Sequence, residues 1–197
     1  MKVMNLILKR IFDFVSSLLG ILLLSPLFLF IAIAIKATSK GPVIFKQRRL
    51  GKKGKEFYIY KFRTMVPDAE YIGEGLRVSS EKDPRITRVG RFLRSTSLDE
   101  LPQLFNVLEG TMSLVGPRPP VTYHPYNGLE GYPDWARQRF EMRPGITGLA
   151  QVQVRNSATW DHRIQIDNEY VEKFTFLLDM KILFKTFYKV SSKKGIY

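Results

Sequence analysis

Asp99 and Glu100 stand side by side in the stretch RSTSLDELPQLFNVLEG, Arg94 to Gly110, behind a Ser/Thr run and ahead of apolar residues at Leu101, Leu104, Phe105 and Leu108. Ser97 followed three positions later by Glu100 fits a capping box, which puts Asp99 in the first turn of a helix, where the dipole favours an acid. Pro102 admits a second arrangement. With Asp99 itself as N-cap, the proline falls at the third helical position, where a missing N–H costs nothing. In either case the Asp99 carboxylate lies at a helix N-terminus, in a field that keeps it ionised and attracts other anions. Such a carboxylate can serve as nucleophile or metal ligand. An anionic reactant there needs cations, and Lys61, Arg63, Arg94, Arg118, Arg143 and Arg155 are candidates beside Mg²⁺. Helix capping accounts for the same two acids without any chemistry, so the pattern leaves both readings open.

Other chemistries are narrowed by what the chain lacks. It has no cysteine, which removes disulfides, thiolate zinc sites and thiol nucleophiles and suits a reducing compartment, and its two histidines, His124 and His162, are far apart. Carboxylates can still hold a hard cation. The 197 residues, 45% hydrophobic, suffice for one domain with its own core plus accessories. The net charge of +13 is unevenly spread: residues 1–55 carry +10 and the remainder only +3. Basicity confined to the flanks of an apolar segment points to anionic lipid headgroups rather than nucleic acid.

That segment runs from Phe14 to Ile35, twenty-two residues without a charge, long enough as a helix to cross a hydrocarbon core. Its length and its basic sequel argue against a cleaved signal peptide. Positive charge on both sides draws both ends to the cytoplasm. Ser25-Pro26 near the middle should bend the helix, with the Ser hydroxyl able to satisfy a backbone group freed by the proline. A helix that dips into one leaflet and returns fits these signs, and so does a straight anchor with an ordinary proline kink.

The elements that must position the acids follow. Val43 to Arg48 and Phe57 to Met65 read as strands of a hairpin turning at Gly51 to Gly54, and Pro67 to Pro84 as a polar helix-plus-loop excursion. Helical spacing resumes at Ile86 to Leu93 and again from Leu101. LVGPRPP, Leu114 to Pro120, and MRPGITGLAQV, Met142 to Val152, read as ordered loops. Trp160 to Val190 has apolar residues at helical spacing, for packing on the core or lying along a membrane interface.

Four of these pieces, LKRIFDFVSSLLGILLLSPL, YKFRTM, RSTSLDELPQLFNVLEGTMSLVGPRP and RPGITGLAQV, in this order over nearly the whole chain, resemble the small monotopic phosphoglycosyl transferases of bacteria, the bacterial sugar transferase family. The resemblance implies a mostly helical α/β fold. Residues 1–38 would form a re-entrant membrane helix-break-helix bent at Ser25 and Pro26. Residues 39–197 would form a cytosolic catalytic domain with a small β-hairpin and amphipathic helices at the membrane interface. It further implies transfer of a phosphosugar from a UDP-sugar to undecaprenyl or a similar polyprenyl phosphate, with release of UMP, at the cytosolic face of the bacterial inner membrane. Asp99 would attack the sugar-bearing phosphate to give a covalent intermediate. Glu100 would join Asp99 in holding Mg²⁺ or position the site. Arg94 and Arg118 match arginines that meet phosphate, with Lys61 and Arg63 as further phosphate contacts. Arg143, Gly145, Thr147, Gln151 and Arg155 match the region near the nucleotide. One departure falls there: many relatives continue after GLAQV with Asn-Gly-Arg, whereas this chain has Gln153-Val154-Arg155 followed by Asn156. The implied partners are the UDP-sugar, the polyprenyl phosphate and anionic lipids, with no nucleic acid; a homo-oligomer is allowed. Two rivals remain: a membrane-anchored glycosyltransferase that moves the sugar alone, and a non-enzymatic membrane adaptor whose acids only cap a helix.

Overall fold

A computed structural model describes residues 2–72, 75, 83–154 and 158–191. It opens with one long helix, α1 (Lys2–Thr38), followed by a hairpin of β1 (Ile44–Leu50) and β2 (Glu56–Phe62). Then come α2 (Arg88–Ser95), α3 (Gln103–Glu109), β3 (Ser113–Val115), α4 (Asp134–Arg137), β4 (Gly145–Thr147), α5 (Leu149–Gln153), α6 (Trp160–Glu172) and α7 (Phe176–Ser191). The structure is mostly helical with two small sheets, as the sequence implies.

The hairpin forms where expected, antiparallel with Ile59 opposite Gln47, and a 3₁₀ turn at Lys52–Gly54 joins the strands. The two proline-rich loops do more than the sequence suggested. Each contributes a three-residue strand, and β3 pairs with β4 in parallel, Ser113 opposite Gly145 and Val115 opposite Thr147. The expected excursion after Pro67 contains a short 3₁₀ turn, Ala69–Tyr71, and is otherwise largely outside the described residues.

Helix α1 is amphipathic in the inverted sense. Lys9, Asp13 and Ser17 recur every fourth residue and so share one face, and all three are buried against the rest of the protein. Lys9 Nζ donates to Val115 O (2.7 Å) and pairs with Asp179 Oδ2 (2.6 Å). Tyr170 donates its hydroxyl to the other oxygen of Asp179 (2.7 Å). Asp13 accepts from Ser113 Oγ (2.7 Å) and from the Leu114 amide (3.0 Å). The opposite face, including Ile11, Leu22, Leu23 and Phe30, is apolar and exposed. Farther along, Phe28 meets Phe105 edge-on, and Ile31 and Ile35 pack with Phe62 and Leu93. Both halves of α1 therefore rest on the same domain.

Two expectations about this region change. Lys9 and Arg10 belong to the basic flank assigned to lipid headgroups, yet both turn inward. Arg10 donates to Val107 O (2.8 Å) and Leu108 O (3.1 Å), supplying a cation to the carbonyls at the C-terminus of α3. The anticipated interruption at Ser25-Pro26 is not seen either, since the chain stays helical through Pro26. The proline leaves Leu22 O without its usual amide partner, and Ser25 Oγ donates to that carbonyl at 2.9 Å, as the sequence suggested.

The remaining apolar core is divided among neighbouring clusters. Val115, Leu149, Tyr170 and Ile182 gather α5, α6 and α7 around β3, while Ile59, Val107 and Met112 join β2 to α3. Removing the ammonium of the buried pair on α1, as in Lys9→Met, leaves Asp179 without its cation and should cost about 3–5 kcal/mol. Denaturant unfolding in lipid nanodiscs measures this; a loss below about 1 kcal/mol would mean that the pair does not hold α1 to the domain.

Candidate functional site

The acidic pair is presented by a tight turn rather than by a capped helix. Leu98–Glu100 forms a 3₁₀ turn and α3 begins after Pro102, which occupies the N-cap position. Neither capping arrangement drawn from the sequence forms. Ser97 adopts a left-handed conformation (φ 57°) and its side chain caps nothing; its N–H is already given to Arg94 O (3.2 Å), so the return bond of a capping box has no donor. Glu100 is thereby free to turn towards cations. Its Oε1 accepts from Lys61 Nζ at 2.6 Å, and Arg118 Nη2 lies 3.5 Å away.

Each cation is delivered by a different element. The strand period of two puts Lys61 on the same face of β2 as Ile59, which packs beneath α3, so the ammonium emerges beside the acidic turn. Asn106 of α3 fixes the two elements together: its Oδ1 accepts from the Tyr60 amide (3.0 Å) and its Nδ2 donates to Tyr58 O (2.8 Å). Arg118 comes from a loop that lacks donors because three of its residues are prolines. Every carbonyl from Pro117 to Pro120 is instead met from elsewhere. Gly145 N–H bonds Pro117 O (3.0 Å), Arg139 Nη2 bonds Arg118 O (2.6 Å), Arg49 Nη1 bonds Pro119 O (3.0 Å) and Leu50 N–H bonds Pro120 O (3.0 Å). The result is a small cleft lined by Lys61, Glu100, Gln103, Arg118, Pro119 and Gly145 among others.

Burial and charge drive the two acids apart. Asp99 is only 9% exposed. Burial pushes its carboxyl up to about 6 against the pull of Lys61, with the negative Glu100 adding to the rise and Arg94 opposing it. Burial would raise Glu100 as well, but Lys61 and Arg118 more than offset it and hold that carboxyl down at about 2. At neutral pH both are ionised. Glu100 is the permanent anion that anchors the cations, whereas Asp99 is buried with no cation in hydrogen-bonding contact among the described residues and keeps its lone pairs available.

Of the residues singled out in the sequence, Asp99, Glu100, Lys61, Arg118 and Gly145 are brought together, and Arg94 is near enough to act on Asp99. The others are used differently. Arg63 donates to the carbonyls of Ser39 and Lys40 and fastens the segment that leaves α1. Arg143 Nε donates to Gly110 O (2.8 Å) at the end of α3. Thr147 shares a hydrogen bond with Thr186 of α7 (2.7 Å), and Gln151 donates to Ile146 O (3.0 Å). Arg155 lies outside the described residues. Sequence reasoning missed Asn106, Arg139 and Asp167. The last two form a buried ion pair at 2.8 Å behind the arginine loop. Neither sits in a motif that draws the eye, and no sequence signal distinguishes them from surface polar residues.

A family profile described as Bacterial sugar transferase matches residues 4–193. The chain belongs to that family. Among its relatives is a UDP-glucose:undecaprenyl-phosphate glucose-1-phosphate transferase of Klebsiella pneumoniae, 44% identical across 98% of this chain and 42% of that protein. An undecaprenyl-phosphate galactose phosphotransferase of Salmonella typhimurium is also 44% identical, over 96% of this chain and 42% of its own length. The chain thus spans well under half of these two relatives. The exopolysaccharide production protein PSS of Rhizobium leguminosarum is of similar size, 46% identical over 93% of this chain and 94% of its own.

The family's implied Mg²⁺ can be tested against the donor set. No cluster of three or more His, Asp or Glu side chains occurs among the described residues. Two adjacent carboxylates nevertheless suit Mg²⁺, which commonly takes one or two carboxylates and completes its shell with water and substrate phosphate. Asp99 and Glu100 are the residues that would hold it.

The pair should titrate far apart. Carboxyl ¹³C resonances recorded without divalent cations should show Asp99 titrating near pH 6 while Glu100 stays ionised to about pH 2. Because the Asp99 pKa is raised on folding, the native state binds the extra proton, and the contribution of Asp99 to stability falls as pH rises from about 4 to about 6. Asp99→Asn removes that penalty. It should raise the melting temperature above pH 6 and leave it unchanged below about pH 4; a melting temperature unaltered at pH 7 would contradict the burial argument.

Proposed function

We propose that this chain transfers a phosphosugar from a UDP-sugar to a polyprenyl phosphate such as undecaprenyl phosphate, releasing UMP, through a covalent intermediate on Asp99. The observation that carries the proposal is the division of labour in the acidic pair. Glu100 is paired with Lys61 and Arg118, while the neighbouring carboxylate of Asp99 is desolvated and lacks such a partner among the described residues. A desolvated carboxylate is a stronger nucleophile than a hydrated one. The names of the relatives, which specify UDP-glucose, undecaprenyl phosphate and phosphosugar transfer, support the substrate class.

In the first half-reaction an Asp99 carboxylate oxygen attacks the sugar-bearing phosphorus of the UDP-sugar. A P–O bond forms to Asp99, the P–O bond to the bridging oxygen breaks, and UMP departs with that electron pair. In the second, a phosphate oxygen of the polyprenyl phosphate attacks the same phosphorus and displaces Asp99, giving a polyprenyl diphosphosugar and restoring the carboxylate. Phosphoryl transfer needs positioning and charge neutralisation more than proton transfer. Lys61 and Arg118 supply fixed positive charge beside the reacting phosphate, with Arg94 adding to the field around Asp99, and the planar guanidinium of Arg118 can bind two phosphate oxygens. Mg²⁺, when bound, adds charge neutralisation at the phosphates. The product would begin glycan assembly on the membrane.

The two-substrate scheme requires a lipid and a soluble nucleotide to reach one turn. We assign α1 a monotopic topology, with both ends at the cytosolic face of the inner membrane. Contact of both halves of α1 with one domain supports this, as does the inverted polarity of the helix. The exposed Leu177, Phe184, Phe187 and Tyr188 of α7, beside the N-terminal half of α1, are placed to lie in the headgroup region.

Purified protein given Mg²⁺, undecaprenyl phosphate and a panel of UDP-sugars should release UMP. Asp99→Asn should lower that rate by at least about 10³-fold and form no protein-bound radiolabelled phosphosugar. Release of UDP would instead identify transfer of the sugar alone, and no nucleotide release with any sugar would favour a non-enzymatic role. Cysteine tags placed before Phe14 and after Ile35 should both react with a reagent confined to the cytosolic side; labelling from opposite sides would establish a spanning helix.

A further inference from the structure

Behind the cleft, Arg139 is almost completely enclosed, with 1% of its side chain exposed, and so is Asp167 of α6, with 2%. A single nitrogen, Arg139 Nη2, makes both of its close polar contacts. It lies 2.8 Å from Asp167 Oδ2 and donates to Arg118 O at 2.6 Å. Its Nε and Nη1 find no hydrogen-bond partner among the described residues, and the guanidinium leans on the ring of Phe140 (5.6 Å). As a source of stability this is a poor arrangement. Enclosing two charges strips both of water before their attraction is counted, and unsatisfied donors add to the cost. What it does achieve is direction. Arg118 O has no local donor, because the flanking residues are prolines, and its orientation decides where the Arg118 side chain leaves the backbone.

The geometry points to Arg139 as a positioning residue for the transfer reaction, held by Asp167 and acting through the carbonyl of Arg118 to aim that guanidinium at the phosphate beside Glu100. The inference rests on the phosphosugar-transfer reading. The ion pair with Asp167 holds Nη2 in place, where it donates to the carbonyl. Arg49, Leu50 and Gly145 hold the adjoining carbonyls, so the loop cannot relax by sliding along its neighbours. Loss of the Arg139 contact therefore swings Arg118 and loosens the bonds at the two ends of the loop without unfolding the domain. Lysine keeps the charge but carries its nitrogen on a different stem without the rigid plane that places Nη2, so it does not put a donor at the same point between the carbonyl and Asp167.

The test is a double-mutant cycle in the UMP-release assay. Arg139→Lys should lower kcat about 10- to 100-fold, with a smaller change in KM for the UDP-sugar, since displacement of a catalytic cation acts mainly on the transition state. In an Arg118→Ala background the same substitution should cost less than about twofold, because the group it aims is gone. Asp167→Asn, which keeps an acceptor oxygen, should show the same coupling with a smaller effect and serves if Arg139→Lys does not fold. An equal loss in both backgrounds, or no loss in the wild-type background, overturns the assignment. A second measurement does not depend on turnover. Arg139→Lys should speed hydrogen exchange at the Leu50 and Gly145 amides, which hold the ends of the loop, and leave the middle of α6 protected. Unchanged exchange at both amides also overturns it. If the wild-type protein releases no UMP, the functional reading fails and the exchange result alone decides whether Arg139 orders the loop.

Discussion

The site depends on one side chain that substitutes for a strand. The outer edge of β2 presents the Tyr58 carbonyl and the Tyr60 amide, and Asn106 meets both with the amide at the end of its own side chain. A carboxamide carries a donor and an acceptor with nearly the geometry of a peptide group, so it can close a sheet edge that would otherwise need another segment of backbone. Because Asn106 belongs to α3, this bond fixes the distance between the acidic turn before α3 and Lys61 near the end of β2. Asn106 is fully buried, and loss of either bond would strand a backbone group away from water.

From that fixed distance follows the contrast between two adjacent carboxylates. A longer helical lead-in would place Asp99 and Glu100 about 100° apart on a solvated surface and give them similar environments. The 3₁₀ turn, with Ser97 left-handed ahead of it, sends one acid into the interior and the other towards two cations. The donor-poor proline loop follows the same logic. Its conformation is imposed by bonds from β1, β4 and Arg139, so the arginine it carries is set by tertiary structure rather than by local preference.

The features legible in the sequence were those written in periodicity or local turn chemistry. The hairpin shows in its alternating strands and Gly/Lys turn, α1 in its uncharged run, and the last two helices in their apolar spacing. The remainder depends on contacts distant in sequence. Strands of three residues, such as β3 and β4, are too short to display a period and exist because they pair with one another. The Ser97–Glu100 spacing resembles a cap, but a cap needs a free N–H at Ser97, and only the structure reveals that Arg94 O has taken it. Lys9 and Arg10 read as headgroup cations for the same reason. Composition reports charge, whereas the side on which a charge is used depends on what packs beside it. Arg63 read as a phosphate contact, whereas in the structure it donates to the backbone of the turn that leaves α1.

The inverted polarity of α1 makes membrane attachment and folding a single problem. A tethered enzyme can be cut from its anchor because the two are separate bodies joined by a linker. Here Lys9 and Asp13 complete the hydrogen bonding of β3 and α7, so the anchor is also a structural layer of the domain that carries the acids. Deleting it would open the backbone of Leu114 and Val115 and the carboxylate of Asp179 to solvent, close to the loop that holds Arg118. Whatever shifts α1 would consequently be felt at the loop that carries Arg118 as mechanical strain, which makes the surroundings of that helix part of what sets the acidic turn and its cations.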